Sequence, residues 1–280
     1  MDMEKRKLLK TVRGSNAVDG AGVKLVRVLG HDTIYDFDPF LMLDAFDAVD
    51  PRDYTKGFPW HPHRGIETVT YLIEGRIEHG DSLGNSGVIG NGDCQWMTAG
   101  SGIIHQEMPM EAERMLGLQL WLNLPAKDKM TEPKYRDITA AMVPKVEEPH
   151  ATVRVISGTF KGIEGAIQGD YVKTLMLDAE IRAGGSLDVE AEHDDTLFFY
   201  VVSGSGSMEG GNLKDHSAIL TSKGDALTLL AGSEGMRVIL FKGAPLNEPI
   251  AWGGPIVMNT REELELAFEE IRDGSFIRHK

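Results

Sequence analysis

Two short stretches of the sequence place side chains that can bind metal ions two residues apart. The first is His61-Pro62-His63, and the second is His105 with Glu107. Residues i and i+2 of an extended segment point to the same side, so each pair can direct both side chains at one point. Three imidazole nitrogens and a carboxylate oxygen suit Fe, Mn, Ni, Cu or Zn, and they lack the thiolates of a structural zinc site. We therefore predict a metal site on these two pairs.

The identity of the carboxylate ligand is not decided by spacing. Glu67 has the same strand parity as His63 and competes with Glu107 for this role. Other residues are weaker candidates for a functional site. Cys94 is expected to be a buried apolar residue. His79 and His193 lie in charged, turn-like surroundings and are expected at the surface. The four tryptophans are expected in the core; they are Trp60, Trp96, Trp121 and Trp252.

Charge and composition narrow the class of protein. The 280 residues carry a formal net charge of −14, which repels the phosphates of nucleic acids and of anionic membranes. Direct nucleic-acid binding and membrane docking are therefore not expected. The single cysteine rules out an intramolecular disulfide and suits a reducing compartment. The charged N-terminus and the lack of a long apolar run predict a cytoplasmic protein.

The elements that must position these side chains read as short strands. Residues 67–74 are rich in β-branched and aromatic side chains and end at Gly75, and glycine pairs with Asp or Asn follow at short intervals. Further strand-like runs lie at 116–124, 153–156, 172–177, 197–202 and 238–241. This pattern predicts an all-β protein of the barrel or sandwich type.

The sequence contains an internal repeat. The matching stretches are 71–75 with 200–204, 92–93 with 224–225, and 99–101 with 231–233. Three matches in the same order indicate a duplicated β-domain. In this alignment the ligand positions correspond to Glu190, Glu192, Arg237 and Ile239, so the predicted metal site is confined to the first copy.

The domain boundary and the C-terminal end follow from composition. Four prolines between 125 and 149 mark an interdomain connection, which predicts domains at 1–135 and 136–280. Thr260 and Glu263 form a capping-box pattern, and apolar residues at helical spacing follow as far as Gly274. We therefore predict one amphipathic helix over 260–273 that packs on a barrel.

Four segments resemble the pirin family of the cupin superfamily, and the resemblance covers essentially the whole chain. They are Phe58–Tyr71, Gln95–Glu107, Gly117–Pro125 and Met258–Thr260. The resemblance implies a bicupin, with two antiparallel jelly-roll-type β-barrels, a C-terminal helix and one divalent metal in the N-terminal barrel. Fe²⁺ is the expected metal, with Mn, Ni, Cu, Co or Zn as alternatives. The resemblance also implies that the ligands are His61, His63, His105 and Glu107, and that Glu67 orients a ligand by hydrogen bonding.

The resemblance also implies a function. The leading hypothesis is a dioxygenase that cleaves a flavonol such as quercetin, with Glu107 as the base that takes a substrate hydroxyl proton. Arg64 is expected to form a surface salt bridge, with assistance to the substrate's charge as the alternative. A second hypothesis is a non-enzymatic, iron-dependent regulator that binds a transcription factor or a metabolic enzyme. A third is a purely structural metal site with no room for a substrate.

Overall fold

The chain folds into two compact units built of β-strands. The computed structural model describes residues 3–279, with many strands, two short 3-10 helices and one α-helix. The N-terminal unit comprises Ser15–Ile34, Phe40–Ala140 and the described residues from Leu246 onward. The C-terminal unit comprises the described residues up to Gly14, Tyr35–Pro39 and Ala141–Pro245. The predicted all-β class with a C-terminal helix is confirmed.

The two units are not contiguous halves of the chain. The change of unit at Ala140 lies close to the predicted boundary at 135, but both ends of the chain are exchanged. Strand β1 (Leu8–Arg13) pairs antiparallel with Ser217–Thr221 and so belongs to the C-terminal unit. The C-terminal segment packs within the N-terminal unit. These compact units therefore differ at both termini from the predicted domains 1–135 and 136–280.

The N-terminal unit holds two larger antiparallel sheets and one small hairpin. Its strands are β2 (Ser15–Asp19), β3 (Val23–Leu29), β4 (Phe40–Ala48), β5 (Phe58–His63), β6 (Ile66–Glu74), β7 (Ile77–Asp81), β8 (Ser86–Ile89), β9 (Cys94–Thr98), β10 (Ile103–Pro109), β11 (Met115–Asn123), β12 (Lys134–Ile138), β23 (Ala251–Gly253) and β24 (Ile256–Met258). Seven of them form a sheet in the order β12-β9-β6-β11-β4-β3-β2, and four form a second sheet in the order β5-β10-β7-β8. The 3-10 helices span Pro51–Asp53 and Ala126–Asp128.

The C-terminal unit is dominated by one nine-stranded sheet. Its other strands are β13 (Lys145–Glu147), β14 (Ala151–Ser157), β15 (Thr159–Phe160), β16 (Ile163–Glu164), β17 (Thr174–Ile181), β18 (Ser186–Glu190), β19 (Thr196–Met208), β20 (Gly211–Lys214), β21 (Ser217–Thr221) and β22 (Ala226–Gly243). The central path is β1-β21-β19-β22-β17-β14-β13, with β18 on β22 and β20 on β19. Buried Val, Leu, Ile and Phe side chains from these strands form one continuous apolar core.

The single helix, α1 (Arg261–Asp273), has the predicted ends. The Thr260 side chain accepts a hydrogen bond from the Glu263 backbone N–H, and the Glu263 carboxylate accepts one from the Thr260 backbone N–H. Gly274 adopts a left-handed conformation, with φ of 82°, and ends the helix. Ala267 is buried against Ile256, in the hairpin of β23 and β24. No helix among residues 3–279 has the length and apolar character needed to cross a membrane.

Candidate metal centre

Neighbouring antiparallel strands bring the three predicted histidines together. On β5 and β10, His105 lies directly opposite His61, and Ile103 lies opposite His63. The even alternation of buried and half-buried residues along β10 places His105 on the inner face of the sheet. One ligand atom from each imidazole lies within 4.8 Å of the others. The i and i+2 spacing therefore gives the convergence that the sequence predicts for these three side chains.

Backbone carbonyls fix the orientation of two of the rings. His61 Nδ1 lies 2.8 Å from the Pro59 oxygen, and His63 Nδ1 lies 3.1 Å from the Pro255 oxygen. Because a carbonyl oxygen only accepts, each Nδ1 must carry the proton, which leaves both Nε2 atoms as lone-pair donors to a ligand. These Nε2 atoms face each other at 3.1 Å. Two lone pairs at this distance repel each other unless a cation lies between them, so the arrangement fits a metal ion.

The third ring, His105, gives a second observation that fits a metal. It is fully buried, and among residues 3–279 neither of its ring nitrogens has a hydrogen-bond partner. Burial, with a smaller contribution from the neighbouring imidazoles, holds the pKa of His105 well below its usual range. Burial likewise lowers the pKa of His63 to about 3. Imidazoles with free lone pairs can hold a divalent transition metal.

Glu107 lies on the same strand but is bonded elsewhere. Its Oε1 accepts a hydrogen bond from Thr70 Oγ1 at 2.9 Å, and its Oε2 accepts one from Gln119 Nε2 at 2.7 Å. The pairing of β10 with β5 shifts in register between His105 and Glu107. Glu107 is not part of the group of ligand atoms within 4.8 Å, so its role as fourth ligand stays a prediction.

The competing carboxylate, Glu67, is also outside the histidine group. It is fully buried, and its Oε1 accepts a hydrogen bond from Thr98 Oγ1 at 2.6 Å. Its predicted role in orienting a metal ligand stays a prediction.

His79 is not at the surface, contrary to the prediction. It is 1% exposed and stacks on Tyr135 with ring centroids 4.2 Å apart. Its Nδ1 lies 2.6 Å from Gln95 Nε2, and its Nε2 lies 3.3 Å from Asp81 Oδ2. Its ring centroid is 5.5 Å from that of His105. The prediction failed because the partners that cover His79 come from β9 and β12, which its local sequence does not reveal.

Arg64 is also buried, so the predicted surface salt bridge is wrong. Its guanidinium pairs with the Glu270 carboxylate at 2.6 Å, donates to the Ser101 and Phe276 carbonyls, and lies over the Phe276 ring. It therefore anchors the C-terminal helix beside β5 and is not available to a substrate.

Some of the remaining predictions of burial are confirmed and others are wrong. Trp96, Trp121 and Cys94 are buried as predicted, and burial raises the pKa of the Cys94 thiol. Trp60, by contrast, is 55% exposed, and Trp252 is only half-buried. His193 lies at the surface, as predicted, beside Asp225.

A cavity of about 520 Å³ opens onto His61 and His63. Two indole rings form part of its wall: Trp121 packs edge-to-face on His63 with centroids 5.0 Å apart, and Trp252 stacks on His31 at 4.0 Å. Its charged members are Asp19, Arg27 and Asp44, and the Arg27 guanidinium binds both carboxylate oxygens of Asp44 and one of Asp19. Four lining residues were not predicted from the sequence; they are His31, Phe58, Gln119 and Pro255.

The strand ladders correct the internal alignment of the two copies. The first part of β22 pairs with β18 as β10 pairs with β5, and its last part pairs with β19 as β11 pairs with β6. The sequence alignment missed this correspondence because β22 is one continuous strand, whereas the N-terminal unit has two separate strands, β10 and β11, in its place. The corrected equivalents of His61, His63, His105 and Glu107 are Val189, Ala191, Leu227 and Leu229, in place of Glu190, Glu192, Arg237 and Ile239. All four are apolar and belong to the core of the C-terminal unit or pack against it, so the proposed ligands are absent from these positions.

Comparisons with known proteins agree with this two-part architecture. The pirin family model matches residues 22–122, and the model of the pirin C-terminal cupin domain matches residues 176–277. A pirin-like protein of Caulobacter vibrioides is 43% identical over 98% of this chain and 100% of its own length. A pirin-like protein of Solanum lycopersicum is 38% identical over 94% of this chain and 89% of its own length. The solved structure of a quercetin 2,3-dioxygenase from Acinetobacter baumannii is 31% identical, covers 97% of this chain and 98% of that one, and superposes with a TM-score of 0.89.

Proposed function

The chain belongs to the pirin family and has its bicupin fold, and on that premise we propose that it is a metal-dependent dioxygenase that cleaves a flavonol such as quercetin. The observation that carries the proposal is the aromatic-walled cavity opening onto His61 and His63. A volume of about 520 Å³ lies in the range of small-molecule sites. Its two indole walls suit a flat aromatic ring system. A purely structural site would need no such cavity.

The three histidines would hold the metal, and the backbone would orient them. The carbonyls of Pro59 and Pro255 keep His61 and His63 in the tautomer that exposes Nε2. A divalent transition metal, for which Fe²⁺ is our first choice, would supply a Lewis acid that makes a bound hydroxyl easier to deprotonate. Trp121 and Trp252 exclude water from the side of the cavity that they cover.

Glu107 is the residue that we assign to proton transfer. Its carboxylate accepts hydrogen bonds from Thr70 and Gln119, which hold it in one orientation without using all of its lone pairs. It can therefore bind the metal as a fourth ligand. Because Glu107 does not line the cavity, taking the proton of a substrate hydroxyl would require its carboxylate to turn away from Gln119. In the overall reaction one O₂ is consumed for each flavonol, both oxygen atoms enter the ring-opened ester, and one carbon leaves as carbon monoxide.

Oxygen consumption tests this proposal directly. The protein is loaded with Fe²⁺ without oxygen, its metal content is verified, and O₂ uptake and carbon monoxide release are followed after quercetin is added. We expect one O₂ consumed for each quercetin lost by the wild type, and none by His63→Ala. His193→Ala, which removes an exposed histidine of the C-terminal unit, should behave as wild type.

Lack of O₂ uptake by verified iron-loaded protein would reject the dioxygenase. The regulatory hypothesis, in which a protein partner reads the metal-bound state, would then become the first choice.

A further inference from the structure

Gln119 connects the cavity to a carboxylate that lies behind its wall. Gln119 lines the cavity, whereas Glu107 and Thr70 do not. One amide N–H of Gln119 donates to Glu107 Oε2 at 2.7 Å, and Nε2 also lies 3.3 Å from Thr70 Oγ1. The Thr70 hydroxyl in turn donates to Glu107 Oε1 at 2.9 Å. The three side chains form a closed ring of hydrogen bonds that fixes the direction of the Gln119 amide.

The ring also determines which amide atom faces the cavity. A carboxylate without a proton only accepts, so the nitrogen of Gln119 must face Glu107. Both of its N–H groups are then used within the ring. The remaining atom is Oε1, which receives no hydrogen bond from any residue between 3 and 279. It is an acceptor on a side chain that lines the same cavity as Trp121 and Trp252.

Several other polar groups of the cavity are already paired. Arg27 donates to both oxygens of Asp44 and to Asp19, at 2.7 to 3.0 Å. His61 and His63 direct their Nδ1 atoms to backbone carbonyls. A bound metal would occupy the Nε2 atoms of His61 and His63, and a ligand hydroxyl that enters beside them would then find an acceptor in Gln119. A ligand without a hydroxyl would leave that acceptor unsatisfied, which disfavours its binding.

We propose that Gln119 Oε1 accepts a hydrogen bond from a phenolic hydroxyl of the substrate and so determines specificity for hydroxylated, planar aromatic compounds. This inference rests on the proposed function, because it assumes that the cavity is the substrate site. It adds a preference for hydroxylated substrates that the histidines alone do not explain.

Ligand binding without turnover tests the inference. The affinities of quercetin and of flavone, which has the same ring system without hydroxyls, are measured by calorimetry in metal-free, chelator-treated protein. The same titrations are repeated with the iron-loaded protein in the absence of oxygen. For Gln119→Met we expect a loss of quercetin affinity of about three- to tenfold, the value of one net hydrogen bond. Flavone affinity should change less than twofold, which also shows that the cavity is intact.

Two further variants separate direct recognition from an effect through Glu107. Gln119→Asn withdraws the oxygen by one methylene and should show the same selective loss if Gln119→Met does not fold. Thr70→Val removes one hydrogen bond from Glu107 but keeps the Gln119 oxygen, so its quercetin affinity should fall less than twofold. An equal loss for quercetin and flavone in the Gln119 variants, or no loss for either, would overturn the inference. If wild-type protein binds neither compound, the proposed function itself fails.

Discussion

His105 and Leu227 occupy equivalent positions in the strand ladders of the two units, and both are fully buried. Leu227 packs in an apolar core, whereas neither ring nitrogen of His105 has a partner among the described residues. An unsatisfied buried polar group costs about 1–3 kcal/mol of folding free energy. The β-barrel therefore does not need the imidazole for its stability, which supports the proposed role of His105 in metal binding.

The first prediction is that His105→Leu abolishes metal binding without weakening the metal-free protein. We expect the free energy of unfolding of the chelated protein to stay equal or rise by about 1 kcal/mol, because an unsatisfied imidazole is replaced by an apolar side chain. Metal content by mass spectrometry and urea unfolding provide the two readouts.

The reverse change provides the control. Leu227→His buries an imidazole in an apolar core and should destabilise the protein by about 2–5 kcal/mol. It should not create a metal site, because the neighbouring positions are Val189 and Ala191. If His105→Leu destabilises the metal-free protein more than Leu227→His does, the claim that the barrel does not need the imidazole for stability would be rejected.

The second prediction concerns Gly65, which lies two residues after β5, the strand of His61 and His63. Its φ of 77° is in the left-handed region, and a Cβ there would overlap the Val257 carbonyl oxygen. Gly65→Ala should therefore push away the hairpin that carries Pro255, the hydrogen-bond partner of His63. We expect a loss of about 3 kcal/mol in the free energy of unfolding, together with weaker metal binding in a competition assay with a chelator.

Gly84 is the matched control for this change. Its φ of 85° is similar, but a Cβ there would meet nothing within 4 Å. Gly84→Ala should lower the free energy of unfolding by only about 1 kcal/mol, the cost of placing alanine in a left-handed conformation, and should leave metal affinity unchanged. Equal effects of the two substitutions would contradict the role assigned to the contact with Val257.

The third prediction is a pH dependence of stability from Lys129. The buried ammonium donates to the carbonyls of Gly65 and Val257 and to the side chain of Asn123. Burial lowers the pKa of Lys129 from 10.5 to about 7. Between these values the unfolded chain holds a proton that the folded protein has released. The free energy of unfolding should therefore rise with pH in this window, by up to about 1.4 kcal/mol per pH unit.

Urea unfolding of wild type and Lys129→Met between pH 6 and pH 9.5 measures this term. The difference in unfolding free energy, wild type minus variant, should be flat below pH 7 and grow above it. The exposed neighbour Lys127 serves as control, because Lys127→Met should follow the wild-type curve. Parallel curves for wild type and Lys129→Met would show that the pKa of Lys129 is not lowered.

The fourth prediction concerns the ion pair of the buried Arg64 with the half-buried Glu270. Arg64→Met removes a charged hydrogen bond but leaves Glu270 paired with Arg278, so it should cost about 1.5–3 kcal/mol. The double variant with Glu270→Met should lose less than the sum of the two single losses. Arg261 and Glu265 form an exposed ion pair on α1, and Arg261→Ala should change stability by less than about 0.5 kcal/mol. Additive effects at Arg64 and Glu270 would show that the pair is not coupled.

The sequence predicted those features that depend on local chemistry. The capping box at Thr260, the strand around Tyr71 and the convergence of three histidines follow from residue types and short spacings. Each of these signals lies within about ten residues or in a two-residue repeat, where backbone geometry alone decides the direction of the side chains.

Features that depend on distant partners were missed. Arg64 is buried because Glu270, far along the chain, neutralises it, and His79 is buried because Gln95 and Tyr135 cover it. The alignment of the second copy was shifted because β22 is continuous, and its sequence does not show where its pairing partner changes from β18 to β19. Composition and periodicity carry no information on such long-range pairings.

The exchange of the two chain ends has a consequence for biogenesis. Trp252 and Pro255, which complete the wall of the histidine site, leave the ribosome long after His61, His63 and His105 have done so. A nascent chain therefore cannot assemble the finished site until residues 252–255 have left the ribosome, and stable metal loading should begin only after that point. Ribosome-bound chains that end before residue 246 would then retain less metal in a chelator challenge than the released protein.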